Sequence, residues 1–251
     1  LETKKIIIEA GKIFSGKSLE KKDITEKGFG NYVTVIDYNV QKFLVPKFKE
    51  IIPSSNVITE ESKDNDYNLE KPTWILDPVD GTTNLIYDMK HSAISVGLFI
   101  DEEPALGFVY NPSRNEMFFA QKNKGAYLND EKIKVSNAKS IKNSLISFGT
   151  SPYNRKKADR TFDIAKNIFL NCRDLRRCGA ASLDLAYTAC GRLDGFFEME
   201  LQPWDFAGGK IILEEAGGKI TDFNGKSIDV CKPGPVIATN GFIHEEILKY
   251  F

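Results

Sequence analysis

Trp74-Ile75-Leu76-Asp77-Pro78-Val79-Asp80-Gly81-Thr82-Thr83-Asn84 is the stretch on which the reading of this chain turns. An apolar run of strand length leads straight into two carboxylates, Asp77 and Asp80, and Gly81 then opens a turn backed by two hydroxyl residues. Carboxylates a few ångströms apart repel strongly at low dielectric unless a cation lies between them. The N–H groups and hydroxyls of Gly81, Thr82 and Thr83 are suited to holding an anion, as glycine turns entering helices do. One short segment can thus serve metal and phosphate together. Taken alone, Asp-Pro and Asp-Gly-Thr also build ordinary turns and caps at strand ends.

Two more acids stand in comparable places. Glu60, in Thr59-Glu60-Glu61-Ser62, follows the β-like run Val57-Ile58, and Asp205, in Trp204-Asp205, starts a helix behind an apolar strand. By itself Asp205 reads as a helix cap. Carboxylates converging from separate strand ends define a hard oxygen site suited to Mg²⁺ or Mn²⁺. Cys172, Cys178, Cys190 and Cys231 are too irregularly spaced for zinc knuckles or a redox pair, and two histidines do not complete a Cys/His set. Mg²⁺ shares phosphate oxygens with its substrate, so the donor set implies phosphoryl transfer to water by a multi-metal centre.

Outward from this segment the chain divides by grammar. Ile6, Ile7, Ala10, Ile13 and Phe14 sit at helical spacing, and so do Val40, Phe43, Leu44, Phe48 and Ile51. Pro46 is expected to kink the second helix and Pro53 to end it. The charged, glycine-bearing stretch from Lys21 to Asn31 reads as a loop or flap. Short β-like runs follow at 57–59, 74–76, 93–100, 105–110, 116–121 and 132–135, a mainly antiparallel pattern. From residue 144 strands (144–148, 175–177, 195–198, 219–221, 236–238) alternate with helices (155–170, 181–190, 205–215, 243–248), as in a layered α/β unit. The division expected is 1–143, carrying most of the acids, and 144–251, packed as one unit.

A length of 251 residues fits one large domain or two closely packed halves. Hydrophobic residues at 41% and charged residues at 27% place the chain among globular proteins. Lys+Arg 34 against Asp+Glu 35 leaves no overall basic field, so neither nucleic acid nor an anionic membrane is expected as a partner. The apolar run 93–100 falls far short of the ~20 residues that span a bilayer. Ile6-Ile7-Ile8, followed by Glu9 and Lys12, is unlike a signal peptide. The expectation is a cytoplasmic protein.

Asn31-Tyr32-Val33-Thr34 with Asp37, Thr59-Glu60-Glu61-Ser62, the 74–84 segment and Trp204-Asp205-Phe206-Ala207-Gly208-Gly209 together resemble, in order and spacing, the inositol monophosphatase family. These are Mg²⁺-dependent, lithium-sensitive phosphatases related to fructose 1,6-bisphosphatase. The resemblance runs nearly end to end. It implies a mixed α+β fold, a five-layered αβαβα sandwich, and usually a homodimer. It further implies that Glu60, Asp77 and the Val79 carbonyl hold one Mg²⁺, and that Asp77, Asp80 and Asp205 hold a second. A third ion near Glu60 is common in the family.

By the same resemblance Thr82, supported by Asp37, orients and deprotonates the attacking water, the Gly81 and Thr82 N–H groups grip phosphate, and Ala181 and Glu198 face the hydroxyls of a small phosphorylated metabolite. Asn31 replaces an Asp frequent in relatives, and Glu200 stands where relatives carry a small residue. Arg173, Arg176 and Arg177 form a basic cluster within reach of a second phosphate, or a salt-bridged solvated strand. The expected activity is hydrolysis of a small polyol or sugar phosphate, inositol monophosphate-like. The alternatives are fructose 1,6-bisphosphate, a nucleotide or NADP as substrate, or a catalytically silent regulatory module. A haloacid-dehalogenase-type phosphatase needs Asp-x-Asp, whereas this chain has Asp-x-x-Asp with Pro78 inside.

Overall fold

Trp74 and Leu76 belong to one buried cluster and Ile75, between them on the same strand, to another, so this strand is covered on both faces. That pattern recurs through the chain and produces layers. The computed structural model describes residues 2–14 and 19–251. In chain order the elements are α1 (Glu2–Gly11), β1 (Ile24–Gly28), β2 (Asn31–Thr34), α2 (Val35–Ile51), β3 (Asn56–Thr59), β4 (Thr73–Asp80) and α3 (Thr82–Ile86). Then come β5 (Ala93–Ile100), β6 (Glu103–Asn111), β7 (Glu116–Gln121), β8 (Gly125–Leu128), β9 (Glu131–Ile133), β10 (Leu145–Phe148), α4 (Ala158–Phe169), β11 (Asp174–Arg176) and α5 (Ala181–Ala189). β12 (Gly195–Leu201), α6 (Pro203–Glu215), β13 (Lys219–Thr221), β14 (Gly234–Thr239) and α7 (His244–Ile247) complete the chain.

Strands β3 to β9 form one seven-stranded sheet in sequence order, antiparallel except for the parallel β3–β4 pair. The second sheet has the order β11-β10-β12-β14-β13 and is mixed. Helices α1 and α2 cover one face of the first sheet through Ile7, Val40, Leu44 and Phe48, the last stacked on Trp74 at 4.5 Å between ring centroids. The other face shares a core with α5, α6 and the near face of the second sheet (Phe196, Val236, Ala238). The far face of that sheet, through Ile146, Phe197 and Ile237, packs on α4 and α7. The order of layers is αβαβα, as expected.

Glycines set the spacing between α6 and the first sheet. A Cβ on Gly107 would lie 2.6 Å from the Gly208 carbonyl oxygen, and one on Gly208 would lie 2.8 Å from the carbonyl oxygens of Val96 and Phe108. Only a bare backbone lets the helix lie this low. Gly107→Ala is therefore expected to cost about 1–3 kcal/mol by overpacking, a fall in Tm of roughly 2–4 °C per kcal/mol for a chain of this size. An unchanged thermal unfolding curve would show that the helix can lift without penalty.

The flap read as a loop is a hairpin: β1 and β2 pair antiparallel with a register shift between Glu26 and Gly28. Helix α2 continues through Pro46, and the run expected over 155–170 divides into a single turn at Arg155–Lys157 followed by α4. His244 is buried between Thr221 and Thr239, whose hydroxyls lie 2.9 Å from its two ring nitrogens, in agreement with a structural role. Among the described residues no helix is long and apolar enough to cross a membrane.

Candidate active site

A bulge presents the two aspartates of the deciding segment. Asp77 pairs with Ser95 and Asp80 with Ala93, so β4 carries one more residue than β5 across this interval. Pro78, which has no N–H to give to a ladder, lies inside the irregular stretch. Asp77 and Asp80 are buried. Asp77 accepts from the Val79 N–H at 2.9 Å. Glu60 comes alongside because β3 runs parallel to β4, with Thr59 opposite Leu76, and the Glu60 N–H points at the Leu76 carbonyl, 3.4 Å away.

Asp205 arrives from the other half of the chain. Pro203 begins α6, and Asp205 closes a capping box with Gln202, accepting its N–H at 2.7 Å. Asp37 is held in the same way at the start of α2: Thr34 is the N-cap, and its N–H and hydroxyl reach Asp37 Oδ2 at 2.8 and 2.6 Å. Asp205, expected as a helix cap, is the third residue of its helix and not the N-cap itself, and in both acids one carboxylate oxygen serves the capping box and leaves the other available. Thr82 Oγ1 lies 3.2 Å from Asp37 Oδ1 and 3.0 Å from the Val79 carbonyl oxygen. Gly81 is the N-cap of α3 with φ +83°, and a Cβ there would come within 3.0 Å of the His91 carbonyl oxygen.

Helix α5 points its first N–H groups at Asp80: Ala181 at 3.2 Å and Ser182 at 2.7 Å. Glu198, buried on β12, accepts the Ser151 N–H at 2.7 Å. Gly149 packs so closely that a Cβ on it would overlap the Glu198 carboxylate at 1.8 Å. These groups line a cleft of about 380 Å³ that includes Asp80, Thr82, Ala181, Glu198 and Asp205. Of the residues expected to act on metal, water or substrate, Asp80, Gly81, Thr82, Ala181, Glu198 and Asp205 line this cleft, Asp37 and Val79 adjoin it through Thr82, and Glu60 and Asp77 lie close enough to Asp80 and Asp205 for their charges to interact.

The electrostatics are those of an acid cluster short of cations. Withdrawal from water pushes Glu60 up to about 7, aided by Glu61 and Asp37 and opposed by Lys27. Burial likewise pushes Asp37 up to about 6 against its bonds from Thr34. Asp77 is raised well above the carboxylate range by burial and then by the charges of Glu60, Asp80 and Asp205, and Asp205 by burial with Asp80 and Glu60. Among the described residues no group of three or more acidic, histidine or cysteine side chains stands already arranged to hold a metal ion. An all-oxygen donor set that leaves positions for water and phosphate fits Mg²⁺, which keeps several waters.

Several residues at the cleft carried no signal in the sequence. Lys27 on the hairpin reaches Glu61 at 2.8 Å and Glu60 at 3.3 Å. Arg155 sits over the Phe29 ring, 4.2 Å from its centroid, joining the hairpin to the loop that carries Tyr153. Tyr153 is exposed as a residue but turns its phenol end into the cleft, where withdrawal from water and the charges of the acids hold it protonated. Of the arginine cluster, Arg176 pairs with Asp174, whereas Arg177 lines the cleft and donates to Thr150 Oγ1 at 2.9 Å. Glu200 is paired with Lys157 and Asn154.

The five-layered sandwich gathers its acids at the ends of β3 and β4 and the start of α6. The chain belongs to the inositol monophosphatase family, whose profile matches residues 2–251. Nus factor SuhB of Escherichia coli (strain K12) is 38% identical over 221 residues, covering 86% of this chain and 82% of its own length. The Thermotoga maritima IMPase superposes with a TM-score of 0.89 at 31% identity, covering 99% of this chain and 94% of the other. SaIMPase-II, solved with inositol monophosphate and separately with 2'AMP, superposes at 0.82 with 30% identity, covering 98% and 90%. A relative named Nus factor does not fit the expectation of a chain without nucleic-acid partners.

Proposed function

We propose that the protein is a Mg²⁺-dependent phosphomonoesterase acting on a small polyol or sugar phosphate, inositol monophosphate-like. The observation that carries this reading is the convergence of Glu60, Asp77, Asp80 and Asp205 beside the Thr82–Asp37 pair. Glu60, Asp77, Asp80, Asp205 and the Val79 carbonyl would hold two Mg²⁺ ions, with Asp77 shared. When bound, Mg²⁺ supplies the positive charge that acidifies water and stabilises the departing alkoxide.

The remaining steps belong to side chains. Thr82 Oγ1 accepts the proton of the attacking water as it passes its own to Asp37 Oδ1, 3.2 Å away. The new P–O bond forms as the ester P–O bond breaks in line, and the alkoxide takes a proton from a water molecule to leave as the alcohol, the hydroxide so formed being neutralised by the proton that Asp37 releases to solvent. Gly81 and Thr82 N–H groups hold the phosphate, while Ala181 and Glu198 face the alcohol. A third ion at Glu60 would have to compete with the Lys27 ammonium. Mn²⁺ substitution, lithium inhibition, a homodimer and a cytoplasmic location are carried over from the resemblance and composition.

Fructose 1,6-bisphosphate, NADP and nucleotides remain the other esters to try, the last favoured by the 2'AMP that SaIMPase-II binds. The Nus factor name of several relatives favours testing a regulatory, non-catalytic role as well. The test is phosphate release from inositol 1-phosphate, fructose 1,6-bisphosphate, 2'AMP and NADP with Mg²⁺, with EDTA, and with Mg²⁺ plus lithium. Asp80→Asn serves as the blank. Turnover of inositol 1-phosphate that needs Mg²⁺ and vanishes in the blank is expected. Mg²⁺ binding without turnover of any ester would favour the regulatory role.

A further inference from the structure

The hairpin beside the cleft carries a cation that no step above uses. In its ladder Glu26 pairs with Tyr32 and Gly28 with Asn31, so Lys27 is the one residue of β1 with no residue opposite it. A bulge of this kind re-aims a side chain, and bulges are frequent beside active sites. Here the side chain reaches the turn that follows β3, with its ammonium 2.8 Å from Glu61 Oε1 and 3.3 Å from Glu60 Oε1. The Glu61 side chain is 4% exposed and that of Glu60 15%, so the acids are largely withdrawn from solvent. Removing one partner from such a group leaves the remaining charges uncompensated.

The hairpin is also tied down at both ends. At its tip the Arg155 guanidinium lies 4.2 Å from the Phe29 ring centroid, and a Cβ on Gly30, whose φ is +77°, would come within 3.1 Å of Arg155 Nη2. At its base β2 leads into α2, whose Asp37 accepts from Thr82. Glu60 keeps Oε2 for the ion that it and Asp77 would hold, while its Oε1 and Glu61 Oε1 face the ammonium. A Mg²⁺ ion on those two oxygens would have to approach to about 2.0–2.1 Å, into the place the ammonium occupies, and two cations there would repel each other. Resting on the reading of Glu60 as an ion ligand, we infer that Lys27 is a built-in cation that fills the position a third ion would take beside Glu60 and Glu61. The site then works with two Mg²⁺ ions and a lysine.

The experiment counts the Mn²⁺ ions bound by the metal-free protein, from the EPR signal of the free ion, in the wild type, Lys27→Met, Lys27→Arg and Lys63→Met, with phosphate release measured in parallel. Lys27→Met removes the ammonium and Lys27→Arg keeps a cation in its place. Lys63, exposed just beyond the same turn, controls for the loss of one positive charge nearby. Two ions per chain are expected in the wild type, Lys27→Arg and Lys63→Met, and three in Lys27→Met. The third should bind on the order of 10- to 100-fold more tightly than any further ion in the wild type. Three ions in the wild type, two in Lys27→Met, or a third ion gained equally in Lys63→Met would each overturn the inference. A count that follows Lys27 with no ester hydrolysed would support it and remove the phosphatase reading, whereas turnover by a wild type holding three ions would do the reverse.

Discussion

Asp77→Asn is expected to lower Mg²⁺-dependent phosphate release by at least 10²–10³-fold, the order of loss that follows removal of one group stabilising a transition-state charge. Asp77 is buried at the centre of the cluster, and Glu60, Asp80 and Asp205 all act on it. An amide in its place keeps the shape and the bond from the Val79 N–H, but cannot supply the charge that two cations would share. The same change should raise the Tm of the metal-free protein, since it relieves repulsion among acids that lack a counter-ion. Steady-state kinetics and thermal unfolding with EDTA check the two halves. Full activity in Asp77→Asn would remove the two-ion assignment, and a lower Tm would show that its carboxylate bonds outweigh the repulsion.

Metal-free protein should lose stability as pH rises from about 4.5 to 7, and Mg²⁺ should restore most where the loss is greatest. Burial holds Glu60 at about 7, Glu198 at about 7 and Asp37 at about 6, while in the unfolded chain these acids ionise near their ordinary values. Through that window the folded state keeps protons that the unfolded state has lost, so raising the pH favours unfolding. His244 works in the opposite sense: burial lowers it to about 4, so its contribution is lost as pH falls below 6.5. Three raised acids, joined by Asp77, Asp80, Asp184 and Asp205, outweigh two histidines, since burial lowers His91 as well. Tm measured from pH 5 to 8 with EDTA should fall, and the increment on adding Mg²⁺ should grow with pH as ions replace protons. An increment independent of pH would mean that the ions do not bind at these carboxylates.

How much of this was legible follows from where the signals lie. The apolar periodicities located the long strands, and the change from hairpins to alternation at residue 144 located the second sheet. The hairpin at Ile24–Thr34 escaped because Glu26, Lys27, Gly28 and Gly30 have the composition of a loop, and β1 is mostly exposed. β8 escaped because turn residues bracket a run only four residues long. Ligand candidates were visible as acids at strand and helix ends, since those positions are ordinary capping sites as well. Lys27, Tyr153 and Arg155 reach the cleft from segments with no local pattern, and only tertiary placement reveals them.

Helix α6, seated on bare glycines, also decides when the site can exist during folding. Glu60, Asp77 and Asp80 belong to the first sheet, but the N–H groups that engage Asp80 come from Ala181 and Ser182, about a hundred residues later, and Asp205 later still. Contacts so distant along the chain form slowly, because long loops must close first. A nascent chain would therefore carry its acids exposed to water, with the desolvation that perturbs them arriving only when α5 and α6 dock. Catalytic competence would then be among the last properties the molecule acquires, well after its strands have paired.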